Sequence, residues 1–301
     1  MKLIKSKYRK LHPKAEYLSD EVIIAQAWKK THAYMRTHNW YADTLALDVS
    51  ALSLEYNVEA WAKSIVEPSK LLTPLELIPA SKSDRWEVKE NGDWTSKASA
   101  EERINKPPIR PLAHLTVRDQ TWATSLLLCL ADLVETEQGD CSEQNYFKAQ
   151  RNKVYSYGNR LICDWKDREA YFRWGNGEIY RKFFVDYQSF LKRPVEIGRE
   201  IATSYATSDN VYVISMDLSR FYDCIDRSAL ALRLKQLAAE KEEEPCAAFW
   251  SVFNKVTDWQ WNDEAESRAK EIGFQLGDGL PQGLVASGFL ANAYMLKFDS
   301  E

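Results

Sequence analysis

The sequence predicts an α+β fold, mainly helical towards its N-terminus. Three observations carry that expectation. Apolar residues recur at spacings of three, four and seven over long stretches, as an amphipathic helix requires. The apolar run Val211-Tyr-Val-Ile-Ser-Met216 has the length and composition of a buried strand. An interval rich in Pro, Ser and Lys over 67–109 separates helix-patterned segments. With 301 residues, 45% hydrophobic and 28% charged, the chain can bury a sizeable core in one large domain or two.

Along the chain, 16–63 carries a helical stripe through Ile23, Ile24, Ala27, Trp28 and Tyr34. The segment 39–43 interrupts it, and Asp48 or Ser50 is the candidate cap for the helix beyond the break. Pro68, Pro74, Pro79, Pro107 and Pro108, with Asn91-Gly92, predict loop with short strands near 75–78 and 86–88. The stretch from Arg110 to Asp119 alternates as a strand does. A buried helix then comes over 120–135 through Trp122, Leu126, Leu127, Leu130 and Leu133. Helix is expected over 170–206, with Gly175-Asn-Gly177 interrupting its start. Asp209-Asn210 is a turn signal before the apolar run at 211–216. Asp226 suits the N-cap of a helix running from Arg227 towards Glu240, with Leu230, Leu234 and Leu237 on one face. Further helices are expected over 246–256 and 284–296.

Charge and cysteine content exclude several classes. No apolar run approaches the roughly 20 residues of a membrane span, and the first ten residues lack the apolar core of a secretion signal. Five cysteines without a Cys-x-x-Cys pair suggest neither a disulfide framework nor a zinc site, so a reducing cytoplasm is the expected location. The net charge of −4 argues against a surface that binds nucleic acid throughout. Locally the balance differs. Residues 1–14 hold six Lys or Arg and no acid, and 146–200 hold twelve basic against seven acidic residues among many aromatics. The cluster over 240–244 is acidic. A charge run standing alone reads most simply as a solvated face.

Two stretches carry chemistry. Asp217 stands where the apolar run ends, and a carboxylate fixed by a strand and open to a loop suits a hard cation. Asp217, with the Leu218 carbonyl beside it, is the candidate magnesium ligand set; the plain alternative is a turn after a strand. Tyr222 lies five residues further on, in Asp-x-x-x-Phe-Tyr-Asp-x-Ile, with Phe221 beside it as a core aromatic. In the second stretch, Gly277, Gly279 and Gly283 flank Pro281-Gln282 and allow tight turns and close approach of another molecule.

Together, Asp217-Leu-Ser-Arg-Phe-Tyr222 and Gly279-Leu-Pro-Gln282-Gly283, with Leu-Ala-Asn292-Ala-Tyr downstream, resemble the first two palm motifs of reverse transcriptases. Upstream, Arg110-Pro-Leu-Ala-His-Leu-Thr-Val-Arg118-Asp119 is similar to the fingers segment of group II intron and bacterial members. Ser156-Tyr-Gly158-Asn-Arg160 resembles the next motif of the family. The resemblance covers about residues 105–301. It implies a right-hand polymerase with an N-terminal, mostly helical extension and Pro-rich loop at 1–104, fingers at 105–210 and a partial palm at 211–301, the thumb being absent. It further implies RNA-directed DNA polymerisation with Mg2+, deoxynucleoside triphosphates, an RNA template and a DNA product.

In that scheme Asp217 is catalytic and holds metal, Tyr222 gates the sugar against a 2′-hydroxyl, and Gln282 and Gly283 meet the incoming nucleotide. Arg110 and Arg118 grip the triphosphate, and Arg160 contacts template or supports the fingers; an ion pair is the alternative for any one arginine. Gly288 departs from the proline usual after the second motif's serine. With the long N-terminal region, this points to the bacterial defence-associated and abortive-infection members, in which a non-coding RNA or a partner protein is a further partner. The family's Tyr-x-Asp-Asp carboxylates have no match here: Asp299 and Glu301 correspond to the linker after the helix. The chain is therefore expected to be an N-terminal portion of a longer polymerase, or to need another chain to complete its palm. A catalytically silent nucleic-acid-binding or assembly subunit is the alternative, and an RNA-templated RNA polymerase a third.

Overall fold

The structure is a computed structural model that describes residues 6–38, 43–81, 86–96, 109–204, 211–241 and 244–300. It is α+β, with eleven α-helices and three two-stranded antiparallel sheets among the described residues. Everything is arranged around one helix, α5 (Val117–Gln138), which is buried on nearly all sides. A helix covered all round belongs to the middle of a protein, and the 22-residue segment has the apolar content for it: Trp122, Leu126, Leu127, Leu128, Leu130 and Val134 are all buried. Thr116 caps it, its side chain accepting from Asp119 N. That cap is why β4 (Ile109–His114) stops before Leu115 and why the expected strand to Asp119 is cut short.

The N-terminal region wraps α5. The single helical interval expected over 16–63 resolves into α1 (Ala15–Leu18), α2 (Glu21–Arg36), α3 (Thr44–Leu52) and α4 (Leu54–Ile65), and α2 packs along α5. Asp20 caps α2 by accepting from Val22 N, and Asp43 caps α3 by accepting from Ala46 N. The caps expected at Asp48 or Ser50 are therefore corrected: Asp43 lies first in the chain, and Ser50 instead accepts from Trp28 Nε1 at 2.9 Å.

Short strands form as expected at β1 (Glu76–Ser81) and β2 (Trp86–Val88), which pair with β4 and with β3 (Trp94–Ser96) respectively. A third hairpin, β5 (Cys163–Lys166) and β6 (Glu169–Phe172), packs on α5 and replaces the start of the helix expected at 170. Its two turn residues, Asp167 at φ 51° and Arg168 at φ 67°, are both left-handed, the geometry that a two-residue hairpin needs. Within that interval the helix is α7 (Phe183–Ser204), and the short α6 (Tyr146–Arg151) lies earlier in the chain.

The C-terminal helices match expectation more closely. Asp226 caps α8 (Arg227–Glu240) through Ala229 N, and α9 (Ala247–Val256) and α10 (Asp263–Glu271) come next. The last helix, α11 (Ser287–Ser300), begins three residues later than expected. The strand expected at 211–216 is not formed. Those residues lie in no ladder, and Tyr212, Ile214 and Met216 are at least 80% exposed. An apolar run becomes a strand only when a neighbouring backbone accepts its hydrogen bonds, and among the described residues none lies alongside.

Asp132 on α5 accepts from Leu11 N and Phe172 N, and burial pushes its carboxyl up to about 7. A raised carboxyl favours the protonated folded state. Its contribution to stability is complete below the ordinary carboxylate range and is lost as pH rises through about 7. Denaturant unfolding at pH 5 and pH 8 should therefore show the chain less stable at pH 8. In Asp132→Asn the difference should shrink by about 1 kcal/mol or more; an unchanged pH dependence would remove Asp132 as its source.

Candidate functional site

The two motif stretches, far apart in sequence, meet. The 3-10 turn Tyr222–Cys224 lies against the 277–283 loop, where Leu280 N donates to the Tyr222 carbonyl at 2.9 Å. The glycines there are required by proximity. A Cβ at Gly279 would stand 2.1 Å from the Tyr222 carbonyl oxygen, and one at Gly277 would stand 2.5 Å from Asp223 Cβ. Arg220 locks the same contact, its Nε donating to Asp223 Oδ2 at 3.1 Å and its Nη2 to the Gln275 carbonyl at 3.2 Å.

The glutamine turn is anchored from the other side by β4 and α5. Ala113 N donates to the Gln282 carbonyl at 2.8 Å, and Leu112 forms a parallel bridge with Gln282. Gly283 sits at φ 96°, a conformation that favours glycine. Ser287 Oγ donates to the Pro281 carbonyl at 2.6 Å, and Val285 N to Gln120 Oε1 at 2.9 Å. The turn is thus held by three separate elements.

The Ser156–Arg160 stretch docks on α11. Asn292 Nδ2 donates to the Gly158 carbonyl at 2.6 Å, and the Asn159 side chain lies where a Cβ on Gly288 would be, 2.7 Å from Asn159 Cγ. This crowding gives a local reason for glycine at the position after Ser287. Asn159 also neighbours the Tyr222 side chain, whose pKa is raised by burial. Tyr34 from α2 and Tyr180 complete the neighbourhood, ring edge to ring at 5.8 Å, and the Tyr180 hydroxyl donates to the Val285 carbonyl at 2.6 Å. Beside them opens a cleft of about 450 Å³ lined by Tyr34, His38, Tyr157, Asn159, Tyr180 and Arg181. Phe221 packs on the core as expected, its ring 5.6 Å from that of Tyr222.

The remaining candidates fall in different places. Asp217 and Leu218 are exposed, in the segment without regular secondary structure. Among the described residues no group of three His, Cys, Asp or Glu side chains gathers to hold a metal ion. Arg110 is exposed on β4, two residues from the Leu112–Gln282 bridge. Arg118 is engaged within the fold: Nε donates to Asp119 at 2.6 Å, Nη2 to the Leu71 carbonyl at 3.2 Å, and the guanidinium lies 4.7 Å from the Trp122 ring. Arg160 is fully buried, paired with Glu135 at 2.9 Å and donating to the Ser156 and Gly139 carbonyls. Its guanidinium is engaged wholly within the fold.

Sequence reasoning misses Tyr34, Asn159 and Tyr180 as members of this neighbourhood. Tyr34 reads as one more residue of a helical stripe, and Asn159 lies inside a motif whose arginine is the conspicuous residue. No protein-family model and no curated protein matches the chain.

The close approach of the two stretches makes a direct expectation. Gly279→Ala should lower stability by about 1 to 3 kcal/mol, the cost of overpacking a filled site, seen as a lower denaturant midpoint. Gly92→Ala, where a Cβ would meet nothing within 4 Å, should cost less despite its left-handed φ. Equal losses would mean that the Tyr222–Leu280 contact is not tightly packed.

Proposed function

We propose that this chain carries the nucleotide-binding part of an RNA-directed DNA polymerase that works with Mg2+ in bacterial antiphage defence. The observation that supports this best is the convergence of the turn at Tyr222, the Gly277–Gly283 turn and the β4 strand bearing Arg110. A polymerase needs such a meeting point, where an aromatic ring, a flexible backbone turn and a phosphate-binding cation surround one nucleotide. Tyr222 would serve as the steric gate: its ring lies against that of Phe221, so a 2′-hydroxyl entering its space would have to displace a packed aromatic.

The Asp217 carboxylate and the Leu218 carbonyl are hard oxygen donors of the kind Mg2+ prefers, and they are the residues that would hold it. Bound there, the ion would neutralise charge on the triphosphate. Asp217 alone provides too few donors for two ions, so the reading requires further carboxylates beyond those gathered among the described residues. Arg110 is the arginine free to serve the phosphates. Arg118, stacked and ion-paired, would act by holding the start of α5 in place. The template-side partners would be RNA and the growing DNA strand.

A second reading, a catalytically silent nucleic-acid-binding or assembly subunit, draws on the exposure of Asp217 and the missing carboxylate cluster among the described residues.

Mg2+-dependent deoxynucleotide incorporation by the natural gene product separates the two. Under the polymerase reading, Asp217→Ala should lower the rate by more than about 100-fold, since losing even outer-shell support of a metal costs up to that much. Tyr222→Ala should raise the use of ribonucleotides relative to deoxynucleotides. Incorporation that survives Asp217→Ala would sink the polymerase reading. Absence of incorporation with intact nucleic-acid binding would favour the silent subunit.

A further inference from the structure

The described part of the first basic stretch, 6–14, and the β5–β6 hairpin of the second are neighbours in the fold. Leu11 N donates to Asp132 Oδ2, which seats the N-terminal arm against α5 beside the β5–β6 hairpin. Lys10 Nζ reaches Glu169 at 3.1 Å, and the Arg9 guanidinium stands 6.0 Å from the centre of the Tyr171 ring. Between arm and hairpin lies a cleft of about 310 Å³ bounded by Arg9, Trp165, Lys166, Tyr171, Arg173 and Trp174. None of its lining residues lines the Tyr222-side cleft.

We infer that this cleft is a binding site for single-stranded nucleic acid, separate from the glutamine turn. Charge is the first reason. Two of the face's carboxylates are already neutralised, Glu169 by Lys10 and Asp164 by Arg173 at 2.6 Å. Arg9, Lys166 and Arg168 are exposed and have no carboxylate partner among the described residues, with Asp167 the remaining acid at the hairpin tip. The patch is therefore positive on a chain whose net charge is −4, and unpaired cations along a groove are what a phosphate backbone meets favourably.

Aromatic content is the second reason. Trp165, Tyr171 and Trp174 are half-buried and line the cleft. Rings interleaved with cations form the stacking platform on which single strands bind without base-pair readout. An acidic peptide would satisfy the cations but would leave the rings unused, so the nucleic acid is the better match. The site does not depend on polymerase chemistry. It would hold a strand whether or not the Asp217 region is active.

The test is fluorescence anisotropy with labelled single-stranded RNA and DNA of equal length, without Mg2+ or nucleotide, so that failure of the polymerase reading cannot mask the result. The variant combines Arg9→Ala, Lys166→Ala and Arg168→Gly, glycine suiting the left-handed backbone at Arg168. Affinity should fall at least ten-fold. The slope of log affinity against log salt should flatten by about 2, three phosphate contacts at roughly 0.7 each. Lys235→Ala on α8 should bind as the wild type does, and the stronger of the two strands identifies the ligand as RNA or DNA. The inference is overturned if neither strand binds or if the triple variant binds unchanged. It is equally overturned if Lys235→Ala loses as much, or if a polyglutamate peptide displaces a strand that unlabelled oligonucleotide does not.

Discussion

Burial of α5 on almost every side is the constraint that organises the rest of the molecule. An apolar helix in that position is inexpensive, but this one carries Asp119, Gln120, Thr124, Asp132 and Glu135 into the core. A buried polar group left without a partner costs about 1 to 3 kcal/mol, so each must recruit one. Asp119 takes Thr73 N, Thr124 takes the Thr31 hydroxyl, and Gln120 takes Val285 N. Asp132 takes Leu11 N and Phe172 N, and Glu135 takes Leu161 N together with Arg160. The partners come from the N-terminal arm, α2, the Pro-rich loop, the stretch at Arg160–Leu161, the hairpin and the glutamine turn. The polar side chains of one helix thereby fix where six segments sit.

That arrangement explains why the candidate site is rigid where it touches α5 and open where it does not. The glutamine turn is tied through Gln120 and through Ala113 at the adjoining strand. Tyr222 is reached indirectly, through Asn159 and through the backbone contact at Leu280. Asp217 is five residues further from any such tie, and it is exposed. Burial in this region falls off with distance from α5.

Much of the fold was legible because local rules and tertiary packing agree. The Asp226 cap, the Leu230–Leu234–Leu237 face of α8, the strands near 76 and 86 and the core of α5 each arise from short-range pattern. The β5–β6 hairpin was not legible. Its turn is Asp167-Arg168 in place of the Asn-Gly that announces left-handed backbone, and its charged strands look helical in isolation. The strand at 211–216 failed for another reason. Composition states that a segment is able to be buried; it does not state which backbone will pair with it. Arg118 and Arg160 show the same limit for site residues, since a motif locates an arginine but not the Trp122 ring or the Glu135 carboxylate that engages it.

The Arg160–Glu135 pair matters through geometry more than through net energy. Two charges taken from water recover little beyond their desolvation cost, and well-packed apolar groups of the same size often serve as well. What apolar groups cannot do is orient. Arg160 donates to the carbonyls of Ser156 and Gly139 while Glu135 accepts from Leu161 N, so the pair sets the path of the backbone on either side of residue 160. That path delivers Asn159, at a left-handed φ of 49°, beside the Tyr222 side chain and against Gly288. A charged pair wholly out of reach of solvent thus governs the placement of the ring on which the site's selectivity would rest.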